Sequence, residues 1–181
     1  MRAARQPRQL GFEILEGNNI KHFGGSYLKK GNPKVKRPLS TKRSMHLVMR
    51  SLFAKGSLSF LRFDREIREL ITYQARVFGV KVYRQANGGN HLHLIVLPRS
   101  RPAFNGFIRS ISGLIARLVL GAERGDAKNI KFWEKRPFTR IIEWGRDYKK
   151  VCSYLFQNTL EALGFIPYQL RTKKYKPKST A

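Results

Sequence analysis

The chain has 181 residues, which suffices for one domain with a buried core and is short for two domains of ordinary size. Its 37 Lys and Arg residues against 11 Asp and Glu give a formal net charge of +26, so a polyanionic partner is expected. Nucleic acid is favoured over a membrane surface because the basic residues are spread along the chain, with aromatic residues between them. Charge by itself does not separate an enzyme from a non-catalytic nucleic-acid-binding protein.

Cysteine usage and hydropathy exclude several further classes. Cys152 is the only cysteine, which excludes an internal disulfide and a thiolate zinc cluster. The basic N-terminus is followed by no apolar segment of signal-peptide length, and no run approaches the roughly 18 apolar residues of a membrane helix. We therefore expect a cytoplasmic, nucleoid-associated protein that does not contact a membrane.

Two basic tails flank the expected domain, which covers residues 42–168. Residues 1–41 are rich in Lys, Arg, Gly, Asn and Pro and show neither the strand period nor the helix period, which predicts a basic, partly flexible arm. Apolar residues such as Phe12 and Leu15 could dock part of this arm on the domain. Residues 169–181 form a second basic tail.

The domain opens with a strand and a helix. Residues 44–51 predict a strand that is partly buried on both faces. This strand contains His46, for which a structural role and a metal-ligand role are both open. The following helix should be capped by Asp64 and should end at Gly79.

A glycine turn then joins two strands of an antiparallel hairpin. Residues 80–86 alternate in polarity, and the turn 87–90 leads into an apolar strand that starts at His91. Because side chains alternate between the faces of a strand, His91 and His93 point the same way, close enough to hold a single metal ion. By itself, such a pair favours ordinary hydrogen bonding over metal binding.

A core-packing helix and a basic loop follow the hairpin. Residues 102–120 have apolar residues at helical spacing, and arginines on the polar face could contact phosphates. The loop 131–136 mixes aromatic and basic side chains, which suits either stacking on unpaired bases or anchoring of the loop. The nucleic-acid-binding candidates of this region are Arg109, Arg117, Lys131, Trp133, Lys135 and Arg136. Residues 138–144 predict the last strand.

The last helix should be capped by Asp147 and should run to about Leu163. At about 100° per residue its apolar residues fall on one side and predict a buried stripe, formed by Cys152, Leu155, Phe156, Leu160 and Leu163. Its polar residues cluster on the opposite face, namely Tyr154, Gln157, Asn158 and Glu161. A tyrosine in a polar cluster, outside the buried stripe, is not needed for packing.

The histidine pair and this polar cluster together contain the groups needed for phosphoryl transfer. An amide oxygen of the helix could complete a metal site with His91 and His93, and the phenol of Tyr154 could attack phosphorus. A phosphotyrosine intermediate would conserve the bond energy for rejoining. A single tyrosine breaks one strand at a time, which implies a single-stranded substrate.

Both segments resemble signatures of known families. His91-Leu92-His93 resembles the His-hydrophobic-His signature of the HUH nucleases. The last helix is similar to the catalytic helix of the single-tyrosine transposases. The similarity is greater to their REP-associated branch, where Tyr-Ile-x-x-Asn-Pro resembles Tyr154-Leu155-Phe156-Gln157-Asn158-Thr159. Thr159 replaces the usual proline, which should let the helix continue. The order of elements, β-α-β-β-α-β-α, is also similar.

The resemblance implies an α+β fold, with a ferredoxin-like or RRM-like antiparallel β-sheet and helices packed on it. It implies that His91, His93 and an amide of the last helix hold Mg²⁺ or Mn²⁺, with Tyr154 as the nucleophile. By the spacing in these families, Asn158 is the expected amide ligand and Gln157 the alternative. The resemblance also implies recognition of a DNA hairpin at repeat ends, by a monomer or by a homodimer with shared active sites.

We therefore predict a metal-dependent DNA transposase, or single-strand nicking and rejoining endonuclease, that forms a 5′-phosphotyrosine. The alternative is a non-catalytic, domesticated nucleic-acid-binding protein on the same fold. A metal-free phosphoesterase with paired His-x-Ser/Thr motifs is disfavoured because the sequence has no such pair of motifs. The distinguishing feature is geometric, since Tyr154 and Asn158 must face the two histidines.

Overall fold

The computed structural model describes residues 22–25, 36–122 and 130–168. The tail 169–181 and the predicted docking residues of the arm, such as Phe12, lie outside these ranges. The described strands and helices, in chain order, are β1 His22–Phe23, β2 Met45–Arg50, α1 Asp64–Phe78, β3 Val80–Asn87, β4 His91–Pro98, α2 Arg101–Leu120, β5 Phe138–Ile141 and α3 Arg146–Ala162. Two short 3-10 helices connect β2 to α1, namely Gly56–Leu58 and Phe60–Phe63.

The strands form one antiparallel sheet in the order β1-β5-β2-β4-β3. The connections β2-α1-β3 and β4-α2-β5 each pass over one intervening strand, which is the split β-α-β arrangement of ferredoxin-like folds. The predicted α+β class and the predicted order of elements are therefore confirmed. β1 is an additional strand at one edge.

Alternation along the central strands produces a core on each side of the sheet. The larger core packs one sheet face against α1 and α2 and includes Met45, Leu47, Met49, Ile67, Ile71, Leu92, Leu94, Val96, Phe104, Phe107, Ile111 and Ile115. The smaller core packs the other face against α3 and consists of Ala86, Ile95, Ile142, Val151 and Leu155. Burial of one large apolar side chain is worth roughly 1.5–3 kcal/mol, so the larger core supplies most of the hydrophobic stabilisation. The second face can therefore hold polar side chains.

α2 is the one described helix that is long and apolar enough to cross a membrane by length and composition alone, with a mean hydropathy of 1.3. Its buried residues recur every three or four positions and face the larger core, namely Phe104, Phe107, Ile111, Ile115 and Val119. Arg109 and Arg117 are exposed on its other face. This pattern is that of an amphipathic core helix.

Two predicted helix ends are confirmed, whereas two predicted caps are wrong. Gly79 ends α1 with φ 63°, and Gly121 ends α2 with φ 58°, in the left-handed region that favours glycine. Asp64 is the first residue of α1, and its carboxylate accepts a hydrogen bond from the arginine four residues later. Asp147 lies inside the first turn of α3 and accepts two hydrogen bonds from Arg140, at 3.0 and 2.9 Å. Each carboxylate thus binds a nearby guanidinium instead of a helix N-terminus.

The buried face of α3 differs from the predicted apolar stripe. Val151, Leu155 and Asn158 are buried, whereas Phe156 and Leu163 are 66% and 55% exposed. At about 100° per residue, this corresponds to a rotation of roughly 110° from the predicted stripe. α3 turns part of its polar face toward the sheet, so two apolar side chains remain at the surface. The helix continues past Thr159, as predicted.

β1 lies within the predicted N-terminal arm. It pairs with β5, and its His22 is opposite Arg140. Gly24, which follows β1, has φ 82°, and a Cβ atom at this position would lie only 2.9 Å from the carbonyl carbon of Pro137. Part of the arm is therefore an edge strand of the sheet, and a glycine is required where the arm passes β5.

Candidate functional site

His91 and His93 begin β4, directly after the hairpin turn. Their ring centroids are 4.7 Å apart and the rings are nearly perpendicular, at 83°. The ring of His91 lies against Gly88, where a Cβ atom would come within 2.6 and 2.8 Å of the two ring nitrogens. Nδ1 of His91 lies 2.7 Å from Oδ1 of Asn90. Because an amide oxygen only accepts, His91 donates this hydrogen bond through Nδ1.

His46 of β2 contacts His93 on the same sheet face. Nε2 of His46 lies 3.0 Å from Nδ1 of His93, and the two rings stack with centroids 5.2 Å apart. His46 is only 7% exposed, and burial, together with the cation of Arg140, lowers its pKa to about 4. The imidazole of His46 is therefore neutral near pH 7. One of the two facing nitrogens donates the shared proton and the other accepts it.

Tyr154 of α3 faces these histidines. Its ring centroid lies 5.4 Å from that of His93 and 6.2 Å from that of His46, and its plane is nearly perpendicular to both, at 88° and 77°. Val151 and Leu155, on either side of Tyr154 along the helix, anchor α3 in the smaller core. The sheet and the helix thus bring Tyr154 to the histidine pair from a distance of some 60 residues in sequence.

Asn158 lies one helical turn after Tyr154, and both residues line one cavity with His91 and His93. It is 6% exposed, and its Nδ2 donates to the carbonyl of Tyr154 at 2.6 Å, which fixes the amide. Gln157 instead donates from Nε2 to Oε1 of Glu161 at 3.0 Å and is not among the described residues that line the cavity. Of the two predicted amide ligands, the structure brings Asn158 to the histidines.

The cavity has a volume of about 710 Å³ and is lined by the hairpin turn, the start of β4, β2, β5 and the second half of α3. Its lining contains all the predicted catalytic and metal-binding residues except Gln157, namely Tyr154, His91, His93 and Asn158. It also contains side chains to which the sequence assigned no role in a site, including Arg50 and Phe138. Only the strand register places these two residues at the cavity, so no sequence pattern could have indicated them.

No protein-family model matches the sequence, and a search of curated proteins found no match. Among solved structures, that of a REP-associated tyrosine transposase bound to a REP hairpin aligns with a TM-score of 0.58 and 16% sequence identity, over 75% of this chain and 76% of that chain. The chain has the fold of this tyrosine transposase. A candidate transposase of Deinococcus radiodurans R1 aligns with a TM-score of 0.40 and 13% identity, over 73% of this chain and 98% of that chain.

This fold separates the predicted nucleic-acid-binding residues into two regions. Arg109 and Arg117 are exposed on α2, which covers the sheet face opposite the cavity. Lys135 and Arg136 are exposed immediately before β5, whose first residue, Phe138, lines the cavity. Lys135 and Arg136 therefore lie near the cavity, whereas the two arginines of α2 lie on the opposite side of the sheet.

The loop before β5 is held to this fold by an aromatic anchor. Nε1 of Trp133 donates to the carbonyl of Ser112 at 3.0 Å. The ring of Trp133 packs against Phe60 and Phe132, with centroids 5.9 and 5.0 Å away. These contacts favour loop anchoring over base stacking for Trp133. Lys131, in the same loop, is exposed.

The donor atoms of the site fit a divalent metal bound by nitrogen and oxygen. Among the described residues, no group of three or more His, Cys, Asp or Glu side chains could hold a metal ion. A third protein ligand beside His91 and His93 would therefore come from another residue type, and the amide oxygen of Asn158 is of a type that binds Mg²⁺ and Mn²⁺. Imidazole suits transition metals and amide oxygen suits Mg²⁺ and Mn²⁺, so the mixed set fits Mn²⁺ well.

Proposed function

We propose that this protein is a DNA transposase, or a single-strand DNA endonuclease of the same chemistry, that nicks and rejoins DNA through Tyr154. The convergence of Tyr154, His91, His93 and Asn158 on one cavity carries this proposal. The fold shared with a tyrosine transposase supports it. The net charge of +26 suits a polyanionic substrate.

His91, His93 and Asn158 are the proposed holders of Mg²⁺ or Mn²⁺. The contact with Asn90 keeps the proton of His91 on Nδ1, so Nε2 is the nitrogen that can ligate a metal. In the same way, the neutral His46 is proposed to accept a hydrogen bond from Nδ1 of His93, which assigns Nε2 of His93 to the metal. A bound divalent cation would polarise the phosphodiester and offset the negative charge of the transition state.

Tyr154 is the proposed nucleophile. Its Oη forms a bond to phosphorus as the bond from phosphorus to the 3′ oxygen breaks. The phenolic proton is lost, and the leaving 3′ oxygen gains a proton. The product is a 5′-phosphotyrosine, and attack by a 3′-hydroxyl reverses the step, so the energy of the phosphoester bond is kept for rejoining.

The proposed substrate is single-stranded DNA, alone or beside a hairpin. One tyrosine cleaves one strand at a time, and Tyr154 is the only tyrosine that contacts His93 among the described ring pairs. The tyrosine transposase with the same fold was solved with a REP hairpin. We extend hairpin binding to this chain as part of the proposal.

Tyr154→Phe should abolish the covalent protein–DNA adduct, because the change removes only the attacking hydroxyl, and DNA binding should persist. The adduct is measured on a denaturing gel, with Mn²⁺ and a single-stranded oligonucleotide labelled at its 3′ end, since the 3′ fragment stays attached to the tyrosine. A parallel reaction with a 5′ label should show release of the other fragment without attached protein.

Tyr148→Phe is the matched control on the same helix. Tyr148 packs with Tyr83 and Trp144, at centroid distances of 6.2 and 5.1 Å, and does not line the cavity. Adduct formation by Tyr154→Phe would disprove the assignment of the nucleophile. DNA binding by the wild-type protein without any adduct, over a range of Mn²⁺ concentrations, would favour the non-catalytic alternative.

A further inference from the structure

A cationic side chain and an aromatic side chain, Arg50 and Phe138, lie at the cavity and have no role in the proposed cleavage step. Arg50 ends β2 and Phe138 begins β5, and both line the cavity. In the register of these strands, Val48 is opposite Phe138, so Arg50, two residues further along β2, lies diagonally across from Phe138 on the same sheet face. Diagonal neighbours of this kind are about 7–8 Å apart. An aromatic residue and a basic residue are therefore diagonal neighbours in the lining of the cavity that contains Tyr154.

The ring of Phe138 is half-buried and has fixed neighbours. It meets the ring of His46 edge-on at 6.2 Å and 86°, and it stacks with His22 at 6.0 Å and 23°. Gly25 also lines the cavity, and a Cβ atom there would lie 3.1 Å from the Cβ of Phe138. Glycine at this position therefore leaves space beside the aromatic side chain.

Arg50 is held at the cavity by Glu134. The backbone N–H of Glu134 donates to the carbonyl of Arg50 at 2.9 Å, and Oε2 of Glu134 lies 3.2 Å from Nε of Arg50. The Arg50 side chain is still 58% exposed. An ion pair through Nε orients the guanidinium and leaves the two terminal nitrogens as donors for a second anion, and a guanidinium binds phosphate well.

We infer that Arg50 and Phe138 form a nucleotide subsite beside the cleaved phosphate, where Phe138 stacks on a base of single-stranded DNA and Arg50 binds a neighbouring phosphate. This inference rests on the proposed function. A nucleotide is the ligand class that offers both a π face for Phe138 and a neighbouring phosphate for Arg50. The stacking is expected to tolerate any base, because every base has a π face.

Phe138→Leu tests the stacking contact, because it keeps most of the apolar volume and removes the aromatic ring. The change is combined with Tyr154→Phe so that no cleavage occurs during the measurement. Single-stranded oligonucleotides with 2-aminopurine at successive positions are titrated with each protein. We expect affinity to fall roughly ten-fold and the fluorescence change to disappear at one position, which identifies the stacked base. Phe138→Tyr should behave like the wild type.

Arg50→Gln tests the phosphate contact at an exposed position where folding is not in question. It should reduce the slope of log affinity against log salt by about 0.7, the value for one phosphate contact in single-stranded DNA. The matched controls are Phe53→Leu, since Phe53 is 43% exposed and stacks on Phe132 away from the cavity, and Arg109→Gln on the opposite sheet face. Each control should change the affinity and the fluorescence profile less than Phe138→Leu and Arg50→Gln do.

Failure of the subsite and failure of the proposed function can be told apart. If the wild-type protein forms the adduct but Phe138→Leu and Arg50→Gln both bind like their controls, the subsite is wrong and the cleavage proposal stands. If both variants lose affinity as expected but the wild-type protein forms no adduct, the subsite stands as a binding site and the cleavage proposal is wrong. Circular dichroism verifies that Phe138→Leu is folded.

Discussion

His46 contacts three members of the candidate site. Its Nε2 lies 3.0 Å from His93, and its ring meets Tyr154 and Phe138 edge-on, each with centroids 6.2 Å away. The sequence left a structural role and a ligand role open for this residue. Hydrogen-bond partners of metal-binding histidines orient the imidazole and fix its tautomer, so the contact with His93 favours a supporting role over direct ligation.

His46→Ala should weaken Mn²⁺ binding by about 10–100-fold, because the hydrogen bond that orients His93 is lost. Isothermal titration calorimetry of the full chain measures the affinity without reference to cleavage. His46→Gln retains an acceptor and should recover part of the loss. His22→Ala is the control, since His22 stacks on Phe138 and lies on a different strand. Equal Mn²⁺ affinity of His46→Ala and the wild-type protein would contradict a positioning role.

The hairpin turn before β4 holds the proposed metal site through a glycine. The N–H of Gly88 donates to the carbonyl of His91 at 2.8 Å, which closes the turn. The ring of His91 fills the space that a side chain on residue 88 would need. Residue 88 must therefore be glycine because the imidazole of His91 lies where a side chain would be. The backbone conformation of Gly88 alone does not indicate this requirement.

Gly88→Ala should displace the His91 ring and so reduce the affinity for Mn²⁺. Loss of a hydrogen bond that orients a metal ligand typically costs roughly 10–100-fold in affinity, and displacement of the ligand itself should cost at least as much. The thermal melting temperature should change little, because the clash is with the end of a half-buried side chain and not with the core. The control is Gly113→Ala in α2, where a Cβ atom has no neighbour within 4 Å and should stabilise the helix by about 0.5–1 kcal/mol. Undiminished Mn²⁺ binding by Gly88→Ala would show that His91 is not a ligand.

Most elements could be predicted from local sequence patterns. The hairpin, α1 and α2 have strong periodicity and glycine ends, and the structure places them within a few residues of the prediction. The face of α3 could not be predicted this way. Prediction of the buried face from the sequence assumes that the most apolar side of a helix is buried. α3 instead covers a cavity, so Asn158 is buried and Phe156 is exposed.

Local sequence patterns indicate only part of the candidate site. His91, His93 and Tyr154 belong to short motifs, so their residue types and spacing were visible in the sequence. His46, Arg50 and Phe138 join them only through the pairing of β2 with β4 and β5. Strand register depends on the whole sheet, and local patterns in one sequence do not specify it.

At the scale of the whole molecule, the residues of the larger core and the residues of the candidate site lie on opposite faces of the sheet. The face under α1 and α2 holds the larger core, and the face under α3 holds the cavity. Substitutions in the cavity therefore remove few apolar contacts. The tests on Tyr154, His46 and Gly88 should for this reason change binding or cleavage more than the free energy of unfolding.

The short strand β1 decides how far the chain can be truncated. A variant without residues 1–35 would lose β1 and leave β5 as an open edge, with backbone N–H and C=O groups that no longer pair with His22 and Phe23. Such edges recruit strands from other molecules, so this variant should self-associate with rising concentration in light scattering. A variant without residues 1–21 retains β1 and should scatter like the full chain, and equal scattering by both variants would contradict the expectation. Strand pairing thus joins His22 and Phe23 to the sheet, although both residues lie within the arm that composition predicts to be outside the domain.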